Sequence, residues 1–288
     1  MISSKDLKKG VLYVVATPIG NLEDISMRAI RVMKEADIIV AEDTRRTKVL
    51  LNAFKISTPL ISLHEHNEKE KSLFIIEKIK TGKDIVYVTD AGTPCISDPG
   101  CFLISRAHDE NITVIPVPGP SAVITALSVS GFIADCFVFC GFLPARQNDR
   151  KKYLQELKSE ERTIVFYESP MRIMPSLNDL RDILGNREIV LARELTKKFE
   201  EIRRGYISAI IDELTDRKIK GEITIIIKGE KIKATALSDE EIKQKIAEIK
   251  QNSDVSLRDA IAEVARNTGV SKKRVYEIGI KLDKEKSN

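Results

Sequence analysis

The chain has 288 residues, of which 42% are hydrophobic and 31% are charged. These values are typical of a folded globular protein and exclude extensive disorder, and the length favours two or three compact units. The net charge of +4 is too small by itself to identify a nucleic-acid-binding protein. The N-terminal sequence MISSKDLKKG lacks the apolar core of a signal peptide and no stretch is long enough to span a bilayer, so we expect a cytoplasmic protein.

The first part of the chain alternates short runs rich in Val, Ile and Tyr with helical segments. Strands are predicted at residues 11–17, 37–42, 84–90 and 113–117. Helices are predicted at residues 26–35, 44–54, 68–80 and 101–110. Helices of this length can cross between parallel strands, so this part predicts a parallel sheet covered by helices.

A Pro- and Gly-rich segment at residues 116–120 interrupts this pattern and predicts a hinge between domains. Beyond it, strands are predicted at residues 136–142, 162–169, 187–194 and 222–229. Helices are predicted at residues 121–130, 150–159, 171–184 and 207–214. We therefore expect an N-terminal α/β domain over residues 1–117 and a second α/β domain over residues 118–232.

Residues 233–288 lack strand signals and predict a helical tail. One helix has an apolar face with helical spacing, and a break at residues 267–269 separates it from a second helix that Ser271 can cap. The apolar positions are Leu257, Ala260, Ile261, Val264 and Ala265 in the first helix and Val275, Ile278 and Leu282 in the second. This is the outline of a helix-turn-helix.

Several glycine-containing turns follow predicted strands. The sequence VTDAGTP at residues 88–94 continues to SDPG at residues 97–100, and ATPIGNL at residues 16–22 ends the first strand. In open α/β sheets, ligands bind outside the carboxyl ends of the strands, and glycine lets backbone donors approach them. The alternative is that these turns only connect elements. The GxGxxG and Walker A patterns are missing, which disfavours dinucleotide oxidoreductases and P-loop NTPases.

The segment AEDTRR at residues 41–46 places charged side chains at another strand end. Arg45 and Arg46 suit phosphate contacts because a guanidinium can bind phosphate oxygens in a bidentate way. The alternative is a helix start with Asp43 or Thr44 as cap and solvated arginines. Four further side chains at strand ends are candidates to face the crevice or to form structural ion pairs. They are Glu168, Ser169, Arg193 and Glu194.

The cysteines and histidines do not predict a metal site. Cys95, Cys101, Cys136 and Cys140 lack CxxC spacing, so we expect buried, reduced thiols, and the three histidines form no HExxH-like pattern.

Six motifs in order make a specific resemblance. They are ATPIGNLEDIS, AEDTRRT, TDAGTPCISDPG, VPGPSAVITAL, FYESPMR and LARELTKKFEE. Together they resemble the tetrapyrrole methylase superfamily and, within it, the branch of cytidine 2'-O-methyltransferases of 16S ribosomal RNA. The resemblance spans roughly residues 11 to 229, and the tail is similar to the helix-turn-helix segment of that branch.

The resemblance implies two α/β lobes with S-adenosylmethionine in the cleft between them. The residues that match the cofactor pocket are Pro18, Asp90, Ala91, Gly92, Thr93, Ile96, Ser97, Ser121, Ala122, Tyr167 and Leu191. Many relatives outside this branch carry Gly-Asp-Pro where this chain has Gly92-Thr93-Pro94, so a carboxylate contact at that turn is not carried over.

The implied reaction is methylation of a cytidine ribose 2'-oxygen in 16S ribosomal RNA, near the decoding centre. Naked 16S RNA and the 30S subunit are both open as substrates, and a homodimer is implied. We expect Asp43 or Glu42 to remove the hydroxyl proton. We also expect Arg45 and Arg46, with Lys272, Lys273 and Arg274 of the tail, to contact RNA, although charged helix faces are often only solvated. The alternatives are methylation of a small tetrapyrrole such as a corrin precursor, and a non-enzymatic helix-turn-helix regulator.

Overall fold

A computed structural model describes residues 9–230, 238–252, 255–268 and 270–285. The chain divides into two compact units, one ending at Gly229 and the other beginning at Glu230. The described residues of the first unit form two five-stranded sheets with their helices, and those of the second unit form helices. Among the helices of the described residues, none has both the length and the apolar character needed to cross a membrane.

The first sheet is entirely parallel, with the strand order β3-β2-β4-β1-β5. Its strands are β1 (Val11–Val15), β2 (Ile38–Ala41), β3 (Leu60–Ser62), β4 (Ile85–Val88) and β5 (Thr113–Val117). The crossover helices are α1 (Met27–Glu35), α2 (Thr44–Ala53), α3 (Glu68–Lys80) and α4 (Cys101–Asp109). Both faces of the sheet are covered, because Ile85 and Tyr87 of the central strand enter one core and Val86 and Val88 the other.

The second sheet is mixed, with the strand order β6-β7-β10-β8-β9. Only the pairing of β6 with β7 is parallel, and the other three pairings are antiparallel. Its strands are β6 (Phe137–Phe142), β7 (Thr163–Glu168), β8 (Glu188–Arg193), β9 (Glu201–Tyr206) and β10 (Ile223–Ile227). The helices of this lobe are α5 (Ala122–Ser130), α6 (Gln147–Glu156), α7 (Ile173–Leu184) and α8 (Ile207–Leu214). One core lies between this sheet and α6, α7 and α8, and a second core lies on the side of α5.

This architecture confirms the predicted fold of two α/β lobes with a helical tail, but two strands were missed. Strand β3 has only three residues, and β9 carries the polar sequence EIRRGY. Both are edge strands, which are often short or charged because they have one neighbour instead of two. Pro116 lies inside β5, not only in the connection after it. This strand is also an edge, where a proline is tolerated.

The four cysteines are free thiols, but the expectation that all are buried is wrong. Cys101 and Cys136 are exposed, and Cys95 and Cys140 are half-buried. Cys101 begins α4 and Cys136 directly precedes β6, so both lie at the ends of elements, where the sheet and helices no longer cover them.

The described residues of the second unit form three helices around a core of their own. They are α9 (Asp239–Asn252), α10 (Leu257–Thr268) and α11 (Lys272–Glu285). The predicted pair of helices corresponds to α10 and α11, with Ser271 accepting a hydrogen bond from the backbone N–H of Arg274 at 3.4 Å. Helix α9 was not predicted as a separate element, although its Ile242 and Ile246 are fully buried against the other two helices.

A buried ion pair between α6 and α7 generates a stability prediction. Arg150 and Asp179 are each only 3% exposed, and Arg150 Nη2 lies 2.6 Å from Asp179 Oδ2. We predict that Arg150→Met lowers the free energy of unfolding by about 3 kcal/mol, because the carboxylate is left buried. Lys151 Nζ, 3.7 Å from Asp179, limits the loss. Urea unfolding measures the difference.

The matched control is Arg181→Met on α7. Arg181 pairs with Asp182 at 3.1 Å, but both side chains are exposed. Its removal is expected to change the free energy of unfolding by less than about 1 kcal/mol. Equal losses for the two variants would contradict the conclusion that removal of Arg150 leaves a buried carboxylate without its main partner.

Candidate active site

A cleft of about 420 Å³ lies between the carboxyl edge of the first sheet and the second sheet. This volume is in the range of small-molecule sites. The first lobe contributes Ile19, Glu42, Arg46, Asp90, Ala91, Gly92, Thr93, Ile96, Ser97 and Asp98. The second lobe contributes Ser121, Ala122, Phe142, Tyr167, Glu168, Ser169, Pro170, Ala192, Leu195 and the four residues from Gly221 to Thr224.

The loops after β1, β4 and β5 are joined by hydrogen bonds along the rim of this cleft. Thr17 and Gly92 exchange two backbone hydrogen bonds, of 2.9 and 3.0 Å. The Thr17 hydroxyl donates to the Thr89 carbonyl at 3.2 Å, and the Thr93 hydroxyl donates to the Pro120 carbonyl at 3.2 Å. Three separate strand ends therefore form one continuous rim.

The turn that carries Asp98 is held in place by side chains of β4 and α3. The Tyr87 hydroxyl donates to the Pro99 carbonyl at 2.5 Å. Glu68 of α3 accepts the backbone N–H of Gly100 at 2.8 Å and that of Phe102 at 3.1 Å. Because the ring of Tyr87 packs directly beneath Gly100, there is no room for a side chain at that position.

Three carboxylates of the first lobe lie near one another in the cleft. Asp90 pairs with Arg46 at 3.2 Å and accepts the backbone N–H of Asp43 at 3.0 Å. Glu42 accepts the Thr89 hydroxyl at 3.1 Å. The pKa of Asp98 is raised to about 6, mainly by burial; the Thr89 hydroxyl lowers it, and the negative charges of Glu42 and Asp90 add to the rise.

The opposite wall is aromatic and is supported by a buried carboxylate. Tyr167 packs edge-on against Phe139 at 5.0 Å between ring centroids, and tilted against Phe142 at 5.4 Å. Burial, with the charge of Asp98 as a smaller cause, raises the pKa of Tyr167 to about 12, so its phenol stays neutral. Glu168 is paired with Arg172 at 2.8 Å and accepts the Ser176 hydroxyl at 2.6 Å.

Comparisons with known proteins place this geometry in a family. The model of the tetrapyrrole (corrin/porphyrin) methylases matches residues 11–211. The chain is 49% identical over 221 residues to ribosomal RNA small subunit methyltransferase I of Halalkalibacterium halodurans, covering 77% of this chain and 76% of the relative. It is 48% identical over 220 residues to the protein of the same name from Thermotoga maritima, covering 76% of this chain and 99% of the relative.

The chain belongs to the ribosomal RNA small subunit methyltransferase I family.

Solved structures agree at the level of the fold. A cobalt precorrin-4 methyltransferase of cobalamin biosynthesis superposes with a TM-score of 0.58 at 17% identity, covering 75% of this chain and 94% of that chain. A uroporphyrin-III-C-methyltransferase of Thermus thermophilus gives a TM-score of 0.52 at 16% identity, covering 76% and 94%. At these identities the likeness concerns the fold alone.

Nine of the eleven residues that the resemblance assigns to the cofactor line the cleft. They are Asp90, Ala91, Gly92, Thr93, Ile96, Ser97, Ser121, Ala122 and Tyr167. Pro18 does not line it, whereas the adjacent Ile19 does. The side chain of Leu191 is buried in the core on the other face of the second sheet. Because side chains alternate along a strand, its neighbour Ala192 faces the cleft instead.

The charged candidates separate into two groups. Glu42 and Arg46 line the cleft, but Asp43 and Arg45 do not. Asp43 caps α2 by accepting the backbone N–H of Arg45, and it also pairs with the Arg45 guanidinium at 2.7 Å. These bonds hold the pKa of Asp43 well below its usual range, which makes it a weak proton acceptor. The structure therefore agrees with the capping alternative for Asp43.

The other charged or polar candidates also include some that line the cleft and some that do not. Glu168 and Ser169 line the cleft. Arg193 instead pairs with Glu201 at 2.9 Å, and Glu194 with Lys197 at 2.8 Å, as structural ion pairs. Lys272, Lys273 and Arg274 begin α11 of the helical unit. In the described part of the chain, no three His, Cys, Asp or Glu side chains group as metal ligands.

Sequence reasoning did not select Asp98, Phe142 or the segment from Gly221 to Thr224. Asp98 stands in the SDPG motif, so the signal was present. Phe142 reaches the cleft through an irregularity in β6 at Gly141, whose φ is +63°. The segment from Gly221 to Thr224 lies at the amino end of β10, and it faces the cleft because that strand runs antiparallel to β7 and β8.

The backbone conformation and close packing of Gly100 predict that the turn carrying Asp98 does not tolerate a side chain there. Its φ is +115°, and an added Cβ would lie 2.2 Å from a ring carbon of Tyr87. Gly185 has a φ of +82° with open space around it, so Gly185→Ala introduces backbone strain without overlap. We predict that Gly100→Ala lowers the free energy of unfolding by about 2 kcal/mol more than Gly185→Ala. Urea unfolding of both variants checks this, and equal losses would contradict it.

Proposed function

We propose that the protein transfers a methyl group from S-adenosylmethionine to the ribose 2'-oxygen of a cytidine in 16S ribosomal RNA, near the decoding centre. The observation that carries the proposal is the identity of nearly 50%, over three quarters of the chain, to relatives named ribosomal RNA small subunit methyltransferase I. The cytidine, the 2'-oxygen and the decoding centre come from the resemblance of the motifs.

The chemistry of the cleft fits S-adenosylmethionine, which supplies an electrophilic methyl group on a sulfonium cation. The cleft is lined by the carboxylates of Glu42, Asp90, Asp98, Glu168 and Glu222 and, among the described residues, by the single guanidinium of Arg46. This excess of negative charge favours a cation at the reacting centre. Apolar and aromatic side chains beside them suit an adenosine.

The protein's own contribution is to bind both reactants, to orient them and to remove a proton. Holding two reactants in line lowers the activation barrier, by about 7–11 kcal/mol in well-oriented systems. The bonded rim of three loops described above provides fixed walls for this purpose. A cleft carboxylate then takes the hydroxyl proton.

RNA contacts are proposed at two places. Beside the cleft, the guanidinium of Arg46 is exposed although it pairs with Asp90, and that of Arg45 is exposed although it pairs with Asp43. Both are available to phosphate oxygens. The first turn of α11 presents exposed Lys272 and Lys273. Cations at a helix N-terminus oppose the helix dipole, so helix stability does not account for these lysines, and phosphate binding does.

The helical unit is proposed to serve RNA binding and not the chemistry. The Thermotoga maritima relative is almost completely covered by the aligned 220 residues, which are only 76% of this chain. About a quarter of this chain therefore has no counterpart in a relative of the same name.

We predict that Lys272→Gln combined with Lys273→Gln weakens binding to 16S RNA and reduces its dependence on salt, because fewer counterions are released. The affinity for S-adenosylmethionine should not change. Filter binding over a range of salt concentrations and calorimetry measure the two quantities. The matched control is Lys245→Gln combined with Lys250→Gln, which removes two exposed charges from α9. Equal RNA affinity of the two double variants would contradict this role.

Homodimerisation stays a prediction of the resemblance. In its support, large apolar side chains at and after α5 are exposed, including Ile124, Val129 and Ile133. Such side chains are buried when two copies associate. Sedimentation velocity over a range of concentrations tests it.

The deciding experiment follows a labelled methyl group from S-adenosylmethionine to 30S subunits isolated from cells that lack this protein. Mass spectrometry of the nucleosides is expected to find 2'-O-methylcytidine. Naked 16S RNA and uroporphyrinogen are assayed in parallel. Transfer to uroporphyrinogen and not to RNA would favour a tetrapyrrole methylase, and no transfer to any of the three would favour a non-enzymatic regulator.

A further inference from the structure

The cleft contains several carboxylates, but most of them are already engaged. Asp90 is held by Arg46, Glu168 by Arg172, and Glu222 by Lys197 at 3.0 Å. Asp98 and Glu42, by contrast, have no ion-pair partner among the described residues, and Glu42 accepts the Thr89 hydroxyl at 3.1 Å. An engaged carboxylate is a weaker proton acceptor, because its partner stabilises the charged form.

Asp98 also lies in the cleft close to side chains of both lobes. It lines the cleft on a turn fixed by Tyr87 and Glu68. Its carboxylate is close enough to Glu42 and Asp90 on its own side to interact electrostatically with both. It also interacts with Tyr167 on the opposite wall. It is therefore the carboxylate that both walls surround.

We propose that Asp98 is the catalytic base that accepts the proton of the ribose 2'-hydroxyl, and that Glu42 and Thr89 position and support it. This inference rests on the proposed function. The O–H bond breaks as its proton passes to a carboxylate oxygen of Asp98, and the freed electron pair of the ribose oxygen forms the bond to the methyl carbon. The carbon–sulfur bond breaks with its electron pair going to sulfur, which becomes neutral.

The neighbours of Asp98 explain how it can take up a proton and keep it. The Thr89 hydroxyl has one proton, which it can donate to charged Asp98, the contact that lowers the Asp98 pKa, or to Glu42 at 3.1 Å. Once Asp98 is protonated, the hydroxyl donates to Glu42. While that bond is made, the Thr89 oxygen can accept a hydrogen bond from protonated Asp98. Glu42 thus acts through Thr89 and through its charge, and not by contact with the substrate.

The electrostatic surroundings set the expected pH dependence. Burial and the charges of Glu42 and Asp90 place the pKa of Asp98 near 6, and the Thr89 hydroxyl opposes them. Arg46 partly balances Asp90, while Tyr87, Cys95 and Tyr167 are neutral neighbours. A base with a raised pKa is charged and active above that value. The rate of methyl transfer is therefore expected to fall as the pH drops through about 6.

The first test is Asp98→Asn in the full-length protein. Single-turnover methyl transfer to the RNA substrate should slow by roughly 100-fold or more, the usual contribution of a general base. The affinity for S-adenosylmethionine, measured by calorimetry, should stay unchanged. Asp212→Asn on α8, an exposed aspartate, is the matched control and should leave the rate unchanged. A loss of cofactor affinity that accounts for the lost rate would overturn the proposal, as would an unchanged rate.

The second test does not depend on activity. Carbon-13 NMR of protein labelled at the aspartate carboxyl carbons should show a resonance that titrates near 6 and is missing from Asp98→Asn. Glu42→Gln should move this titration to lower pH, together with the acidic limb of the rate profile. A titration that Glu42→Gln leaves in place would refute the coupling. If the unmodified protein methylates no RNA, the proposed function fails. An active protein with an unaffected Asp98→Asn variant falsifies only this inference.

Discussion

The site depends on the pair of backbone hydrogen bonds between Thr17 and Gly92. These bonds join the loop after β1 to the loop after β4, and the Thr93 hydroxyl extends the connection to the segment that enters the second lobe. In a parallel sheet the ladder hydrogen bonds join the strands but not the loops that follow them, so those loops can separate. Here they form a single wall that carries Asp90 and Asp98, and the segment of Glu42 is joined to it by the Thr89 hydroxyl and by the bond from Asp43 to Asp90.

The charge distribution of the cleft follows from that wall. Glu42, Asp90 and Asp98 come from two different strand ends and would repel one another in a flexible loop. The negative charge of each is accommodated differently. Asp90 pairs with Arg46, and Glu42 accepts the Thr89 hydroxyl. Asp98 has a raised pKa and therefore takes up a proton more readily than the others. Paired, hydrogen-bonded and proton-accepting carboxylates thus exist within one small volume. Such separation of neighbouring acids is how proteins assign them different chemical tasks.

Much of the fold was accessible from the sequence, because buried parallel strands such as IVYV and the crossover helices have strong apolar patterns. The elements that sequence analysis missed are edge strands and α9. Their patterns are short or polar, and tertiary contacts decide their structure. The same limit applied within the site. The resemblance assigned Leu191 to the cofactor, but the alternation of β8 turns Ala192 toward the cleft.

The roles of individual charges were the least predictable feature. AEDTRR contains two adjacent acids that were both candidate bases, and Asp43 was also a candidate helix cap. The structure decides between these roles, because Asp43 caps α2 while Glu42 lines the cleft. Asp98 was visible in a motif, but its significance depends on Tyr87, Glu68 and Gly100 beneath it. Those contacts join residues far apart in the chain, and no local pattern reports them.

The most direct measurement is the structure of a complex with S-adenosylhomocysteine, the unreactive demethylated product, and an RNA containing the target cytidine. We expect the adenosine between the two lobes and the ribose 2'-oxygen within hydrogen-bond distance, about 2.6–3.2 Å, of the Asp98 carboxylate. A complex in which Asp98 instead binds the amino group of the cofactor, with the ribose oxygen against a different side chain, would contradict this expectation.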